Sequence, residues 1–211
     1  MASENYNIDF TVLEKSEKFT SDGYVPSCTA KSIKNNNPVC SGKNVGDAIG
    51  KSGVTVGTGV DLGQMNEYDL KRLKLPEHIN KTLKPYLNKR GANAQKLAKL
   101  QLTSTDAKIL SDRIKDKIIS IIIKRYEDQS GKVFNSLSSN IQTAIVDYFY
   151  QYGQNSMLVS PHKKLWENIT SNDWERVVEF LNEQEQYKER RKGEAELIIT
   201  SPEYSGQKRI P

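Results

Sequence analysis

Apolar residues recur every three or four positions along much of the second half of the chain. Isoleucines and leucines follow this spacing over residues 103–128, where the run "IISIII" at 118–123 is apolar on several faces of a helix. Such a pattern predicts a long helix whose sides are mostly buried. A second apolar run, over 139–153, predicts another buried helix that ends at Gly153, because glycine favours the left-handed conformation that often follows a helix.

The rest of the chain carries shorter amphipathic patterns. Ile8, Phe10 and Phe19 lie at roughly helical spacing, and they predict a first helix over 8–19. A turn that contains glycine and proline is predicted to follow it at 20–26. Further helices are predicted over 66–73, 76–87, 92–100, 160–169, 172–184 and 187–199.

One short segment has a β pattern instead of a helical one. After a polar stretch at 27–52, which predicts an extended surface loop, residues 53–63 are "GVTVGTGVDLG". β-branched residues are interrupted there by Gly57 and Gly59, which is typical of a small hairpin or a tight strand-turn element. The predicted fold class is therefore α+β and mostly helical: a first helix, a small glycine-rich β element near the N-terminus, and then a bundle of helices.

Two polar residues of the β element are candidates for chemistry. If the hairpin reverses at Thr58–Gly59, Thr55 and Asp61 face each other across it. A carboxylate beside a hydroxyl on rigid backbone can orient and deprotonate a water molecule. An ordinary turn, with an aspartate satisfied by hydrogen bonds, is an alternative explanation of the same segment.

The first predicted helix offers a second carboxylate. Glu14 and Glu17 lie three residues apart and share a face of this helix. Glu17 lies near the C-terminal end, where the negative end of the helix dipole favours the protonated carboxyl that a general acid needs near neutral pH. We interpret Glu14 as part of a solvated charged face.

The composition limits the classes of function. With 31 basic and 26 acidic residues, the net charge is +5, which suits anionic polymers such as nucleic acid, acidic lipid or bacterial cell wall, although solubility alone is an alternative reason. The two histidines, His78 and His162, are far apart and no metal-binding motif is present, so neither a metal site nor a cofactor is expected. Because no membrane-spanning run or signal peptide is visible, we expect synthesis in the cytoplasm and delivery by another route.

The chain has two cysteines, Cys28 and Cys40, separated by a polar segment with little apolar content. In a reducing compartment both would be free thiols. In an oxidising compartment they could close the segment with a disulfide, which would contribute about 3 kcal/mol by restricting the unfolded chain. Their closeness favours the disulfide, and this indicates work in the periplasm or outside the cell.

Several of these segments match the sequence pattern of a known family. The stretches "SEKFTSDGYVP" at 16–26 and "SGVTVGTGVDLGQ" at 52–64 resemble the pesticin-type muramidases, which are bacteriocin and effector relatives of the phage lysozymes. Residues 140–153 resemble the central apolar helix of the phage lysozyme fold, and residues 165–181 and 187–198 resemble the helices that close it. The resemblance follows nearly the whole chain in a consistent order.

The resemblance also implies a domain organisation. It implies one lysozyme-like catalytic domain over 1–211, with an N-terminal lobe over about 1–100 that carries the β element and a helical C-terminal lobe over about 101–211. Two features depart from the family pattern. Lys18 follows Glu17 where the family usually has glycine, and the segment with both cysteines is longer than the pattern predicts.

Carried over by position, the resemblance implies a role for each candidate residue. Glu17 would be the general acid, and Asp61 with Thr55 would hold and activate the hydrolytic water. Gln151 and Arg190 would bind substrate, the first as a cleft-lining glutamine and the second as the arginine that phage enzymes keep close to the catalytic glutamate. Glycosidic bond cleavage needs an acid on the leaving oxygen and a base or nucleophile across the sugar ring, which such a pair supplies without a cofactor.

The activity implied by the resemblance is hydrolysis of the β-1,4 bond between N-acetylmuramic acid and N-acetylglucosamine in peptidoglycan. The protein would be an antibacterial effector, a bacteriocin domain or a phage lysin, acting as a monomer in the periplasm of a target or host bacterium. It would neither bind nucleic acid nor insert into membranes, and an immunity or inhibitor protein would counter it.

Two alternatives to this activity stay open. One is a non-catalytic module that binds cell wall or nucleic acid; a steep loss of affinity with salt and no bond cleavage would favour it. The other is a toxin of the same fold whose activity is redirected, for instance to transglycosylation. Analysis of the products separates that activity from hydrolysis.

Overall fold

A computed structural model describes residues 6–16, 19–35, 40–97 and 99–207 of the chain. The fold is a mostly helical α+β fold with one small antiparallel sheet, which confirms the predicted fold class. Its strands are β1 (Phe19–Tyr24), β2 (Thr55–Thr58) and β3 (Val60–Asp61). Its α-helices are α1 (Phe10–Ser16), α2 (Ala30–Lys34), α3 (Glu67–Arg72), α4 (Glu77–Leu83), α5 (Ala92–Gln95), α6 (Ser104–Ser130), α7 (Ser139–Tyr152), α8 (His162–Ser171), α9 (Trp174–Asn182), α10 (Lys188–Ile199) and α11 (Pro202–Gln207).

The chain forms two compact units. One is Glu17–Ile114, which contains the sheet, and the other is Met1–Ser16 together with Lys115–Pro211. Helix α6 contributes residues to both units. The lobes implied by the resemblance, about 1–100 and 101–211, divide the chain at a different point, and the single catalytic domain stays a prediction.

The sheet of the first unit contains the predicted hairpin. Strands β2 and β3 are antiparallel, with Thr55 opposite Asp61 and Val56 opposite Val60, so the chain reverses where the glycine spacing predicts. The valines of this hairpin enter the apolar core of the unit, which they share with residues of α3, α4 and α6. The other core residues include Leu62, Leu70, Leu73, Ile79, Leu83, Leu100 and Leu110.

The first helix is shorter than its pattern predicts, and the following segment is a strand. Helix α1 ends at Ser16, whereas Phe19 begins β1, which pairs with β2. On its other side, β1 is fixed by the backbone N–H of Gly23, which donates to the carbonyl oxygen of Leu100 at 2.8 Å. The helix predicted over 8–19 is therefore wrong at Phe19. The turn predicted over 20–26 is wrong at residues 20–24, where β1 continues. Because the partners of β1 lie far along the chain, its own periodicity does not reveal the strand.

The cysteine-bearing segment is not a loop throughout. Cys28 and Cys40 form a disulfide, and both residues are buried. Helix α2 lies between them, and Thr29 caps its first turn in a capping box with Ser32. The extended loop predicted over 27–52 is therefore wrong at α2, since so short a helix leaves no apolar periodicity in a polar stretch.

The second unit is built around α7. Every residue from Ile141 to Phe149 is buried, and the helix ends before Gly153, whose φ is 78°, as the sequence predicts. Helix α10 packs against both α7 and α9. Phe149 meets Trp166 of α8 edge to face, with 5.3 Å between ring centroids. Among the helices described, none combines the length and the apolar character needed to cross a membrane.

Candidate active site

Hydrogen bonds hold Asp61 at the base of the hairpin. Its Oδ1 accepts the backbone N–H of Gly53 at 3.0 Å and that of Gly63 at 2.9 Å. Its Oδ2 accepts from Nε2 of Gln64 at 3.3 Å. The first oxygen therefore fastens the backbone before β2 to the short 3-10 turn that follows β3. The second oxygen is less constrained, and the side chain is half-buried.

Thr55 lies directly opposite Asp61 in the strand register, so the structure brings this predicted pair together. Cross-strand partners place their side chains on the same face of a sheet. Thr55 is only 4% exposed, and its hydroxyl donates to the carbonyl oxygen of Gly53 at 3.4 Å. The side-chain hydrogen bond of Thr55 is thus local to the hairpin, while its backbone also pairs with Tyr24 of β1. The role of Thr55 toward a water molecule stays a prediction.

Two of the glycines are needed because backbones touch at the hairpin base. A Cβ atom on Gly53 would lie 2.5 Å from the Cα of Gly63, and one on Gly63 would lie 2.6 Å from the carbonyl oxygen of Lys89. Both distances are far inside van der Waals contact, so no side chain fits at either position. This close approach also brings the N–H groups of both glycines to Oδ1 of Asp61.

Asparagine at position 61 is expected to preserve the hairpin, whereas alanine is not. Asp61→Asn keeps an acceptor oxygen for the two glycine N–H groups, and Asp61→Ala leaves both of these buried donors unpaired. We expect the free energy of unfolding to fall by about 2–3 kcal/mol for alanine and by less than about 1 kcal/mol for asparagine. Urea unfolding of both variants measures this, and equal losses would contradict the anchoring role of Oδ1.

Arg190, which belongs to the other unit, is held by the buried carboxylate of Asp147. Nε and Nη2 of Arg190 each donate to one oxygen of Asp147, both at 2.8 Å, and Asp147 is 0% exposed. Two parallel bonds of this kind fix the plane of a guanidinium group. The sequence interpretation missed Asp147, although a lone carboxylate in the apolar run "AIVDYF" at 144–149 was a signal of a buried partner.

Gln151 is held by the neighbouring arginine. Nη2 of Arg191 donates to Oε1 of Gln151 at 2.7 Å and lies 2.9 Å from Oε1 of Glu194. The Arg191 guanidinium is fully buried, 4.4 Å from the ring centroid of Tyr148. Burial raises the pKa of the Glu194 carboxyl well above its ordinary value against the opposing charge of Arg191, and the nearby Asp147 carboxyl raises it further.

Residues 7–175 match the Pesticin family model, described as a bacterial toxin homologue of phage lysozyme, C-term. The chain belongs to the Pesticin family. The resemblance stated from the sequence is therefore confirmed, and homology to phage lysozyme indicates a glycoside hydrolase as the broad enzyme class. No curated protein is similar enough to the chain to count as a match.

In this member of the Pesticin family, the predicted site residues lie in different parts of the chain. Thr55 and Asp61 meet in the hairpin, while Gln151 and Arg190 lie on α7 and α10 of the other unit. Glu17, the predicted general acid, lies outside the described residues. Within the described part of the chain, no three His, Cys, Asp or Glu side chains are grouped so that they could hold a metal ion.

Proposed function

We propose that this Pesticin-family protein is a muramidase, which hydrolyses the β-1,4 bond between N-acetylmuramic acid and N-acetylglucosamine in peptidoglycan. The observation that carries the proposal is the fixed carboxylate of Asp61, in a chain region that matches a family of phage lysozyme homologues. Backbone N–H groups anchor one of its oxygens. This anchoring orients the carboxylate, and the other oxygen, which has one longer bond to Gln64, is the one that would accept a proton from water or attack a sugar.

In the proposed reaction, two carboxyl groups act on opposite sides of the scissile bond. Glu17 donates its proton to the leaving glycosidic oxygen as that bond breaks. Asp61 acts toward the anomeric carbon, either as the base that takes a proton from the attacking water or as a nucleophile that water later displaces. The configuration of the released sugar distinguishes these two routes. Gln151 and Arg190 bind the glycan in this proposal, held by Arg191 and Asp147.

The distribution of charge supports an anionic polymer as substrate. The unit Glu17–Ile114 has sixteen basic and nine acidic residues, whereas the remaining residues have fifteen basic and seventeen acidic ones. The positive excess therefore lies in the unit that carries the Asp61 hairpin, where it raises the local concentration of an anionic wall polymer. The Cys28–Cys40 disulfide suits action in an oxidising periplasm. A toxin role further implies an inhibitor protein.

Product analysis on purified peptidoglycan tests the proposal. The protein is incubated with the insoluble polymer, turbidity is followed, and the soluble products are reduced with borohydride and analysed by mass spectrometry. We expect muropeptides that end in reducing N-acetylmuramic acid. The matched control is Asp61→Asn, which keeps the hairpin bonds and is expected to lower turnover by about 100-fold or more because it loses the carboxylate charge.

Other outcomes of this assay would exclude the proposed activity. Products that end in reducing N-acetylglucosamine would assign a glucosaminidase, and anhydro-sugar ends would assign transglycosylation. Intact peptidoglycan would indicate a binding module instead of an enzyme.

A further inference from the structure

A tyrosine ring is exposed at the start of α10, in an unusual backbone conformation. Tyr187 is 52% exposed, and its φ of 58° and ψ of 37° place it in the left-handed region. Bulky residues seldom adopt this conformation, which favours glycine and asparagine. Because the ring is exposed, burial in the core does not offset this conformational cost. A role of the ring in binding, and not the stability of the fold, would account for a tyrosine at this position.

Other aromatic side chains hold the ring of Tyr187 in place. Tyr152 meets it edge to face, with 6.4 Å between centroids and an interplanar angle of 80°. The Tyr152 ring lies 4.3 Å from His162 and 4.9 Å from Tyr148, and the Tyr148 hydroxyl is 2.7 Å from Nδ1 of His162. The buried guanidinium of Arg191 lies 5.4 Å from the Tyr152 ring. The exposed ring therefore rests on a rigid support.

The aromatic side chains that support this ring are neutral. Burial, with the charge of Arg191, lowers the pKa of His162, so its ring is uncharged near neutral pH. Burial raises the pKa of Tyr152, so its hydroxyl stays protonated. At the exposed end, the charge of Lys188 is balanced by Glu185, whose Oε1 lies 3.4 Å from Nζ. An aromatic face with neutral hydrogen-bonding neighbours fits a sugar ring better than it fits an ion.

We propose that Tyr187 is a substrate-binding residue, which stacks against the C–H face of a pyranose ring in the glycan strand. The C–H groups of a pyranose carry a small positive charge and are attracted to the negative face of an aromatic ring. Tyrosine provides such a surface with little loss of side-chain entropy, since only two side-chain torsions must be fixed. This inference rests on the proposed function, because it takes the same glycan as ligand.

Replacing Tyr187 by asparagine tests the stacking without weakening the fold. Asparagine favours the left-handed conformation, which offsets the lost contact with Tyr152, so the melting temperature of Tyr187→Asn is expected to stay close to that of the wild type. With soluble peptidoglycan fragments as substrate, we expect KM to rise about tenfold and kcat to stay within about twofold, since ring stacking contributes mainly to binding. Tyr187→Phe keeps the ring, and its KM is expected to stay within about twofold of the wild type.

The control variant is Tyr68→Ala, which removes another exposed tyrosine, 67% accessible, from α3. Its KM is expected to match the wild type. An unchanged KM in Tyr187→Asn, or a fall in kcat alone, would overturn the stacking role of Tyr187. The proposed function would still stand in that case if the wild type is active. A wild type that releases no muropeptides would overturn the proposed function itself, and the stacking inference with it.

Discussion

Replacing Glu17 by glutamine is expected to lower the rate of peptidoglycan hydrolysis by about 10³-fold or more, because a neutral amide cannot donate a proton to the leaving oxygen. Glutamine has nearly the same size and shape as glutamate, so the fold should persist. The measurement is the release of soluble muropeptides by wild type and variant at equal concentration. Circular dichroism and melting curves close to the wild type are required before the loss is assigned to chemistry.

The matched control for this variant is Glu14→Gln, three residues earlier on α1. The sequence pattern predicts Glu14 to be part of a solvated face, so this variant is expected to retain the wild-type rate. The opposite pattern, with activity kept in Glu17→Gln and lost in Glu14→Gln, would show that the general acid is assigned to the wrong glutamate. Loss in both variants with normal melting would place both carboxylates in the reaction.

Replacing Asp147 by alanine is expected to lower the free energy of unfolding by about 3–5 kcal/mol. Asp147 is fully buried and binds Arg190 through two bonds of 2.8 Å. The Arg190 side chain is itself only 12% exposed, so water cannot fully replace the lost carboxylate. Urea unfolding at neutral pH measures the effect.

An exposed ion pair of the same length provides the control for Asp147. Asp128 lies 2.8 Å from Lys124 on the surface of α6, and the two side chains are 58% and 75% exposed. Asp128→Ala is expected to leave the unfolding transition where it is, because solvent screens such a pair and its ordering costs side-chain entropy. If both variants lost stability equally, burial would not be what makes the Asp147 pair strong.

Local patterns in the sequence predict the parts of this fold that depend on neighbours along the chain. The apolar spacing of α6 and α7 predicts both helices, and the glycines of the hairpin predict that Thr55 and Asp61 lie opposite each other. The strand β1 was missed because its partners are remote. For the same reason, no local pattern pairs Asp147 with Arg190, since α7 and α10 meet only through tertiary packing.

The same limit applies to prediction of the candidate site. The sequence predicts the residue types that the chemistry needs and, for Asp61, the position opposite Thr55. It does not predict that the N–H groups of Gly53 and Gly63 would occupy one carboxylate oxygen. Such bonds arise from the contact of two backbone segments, which no side-chain pattern records.

Because the backbones of Gly53 and Gly63 touch, the segment between them must have a fixed length. The two backbones meet only when residues 54–62 complete one in-register hairpin. Inserting or deleting a single residue there would turn Asp61 to the opposite face of the sheet, because side chains alternate along a strand. We therefore expect homologues to differ in the side chains of residues 54–62, and insertions or deletions to fall outside this segment.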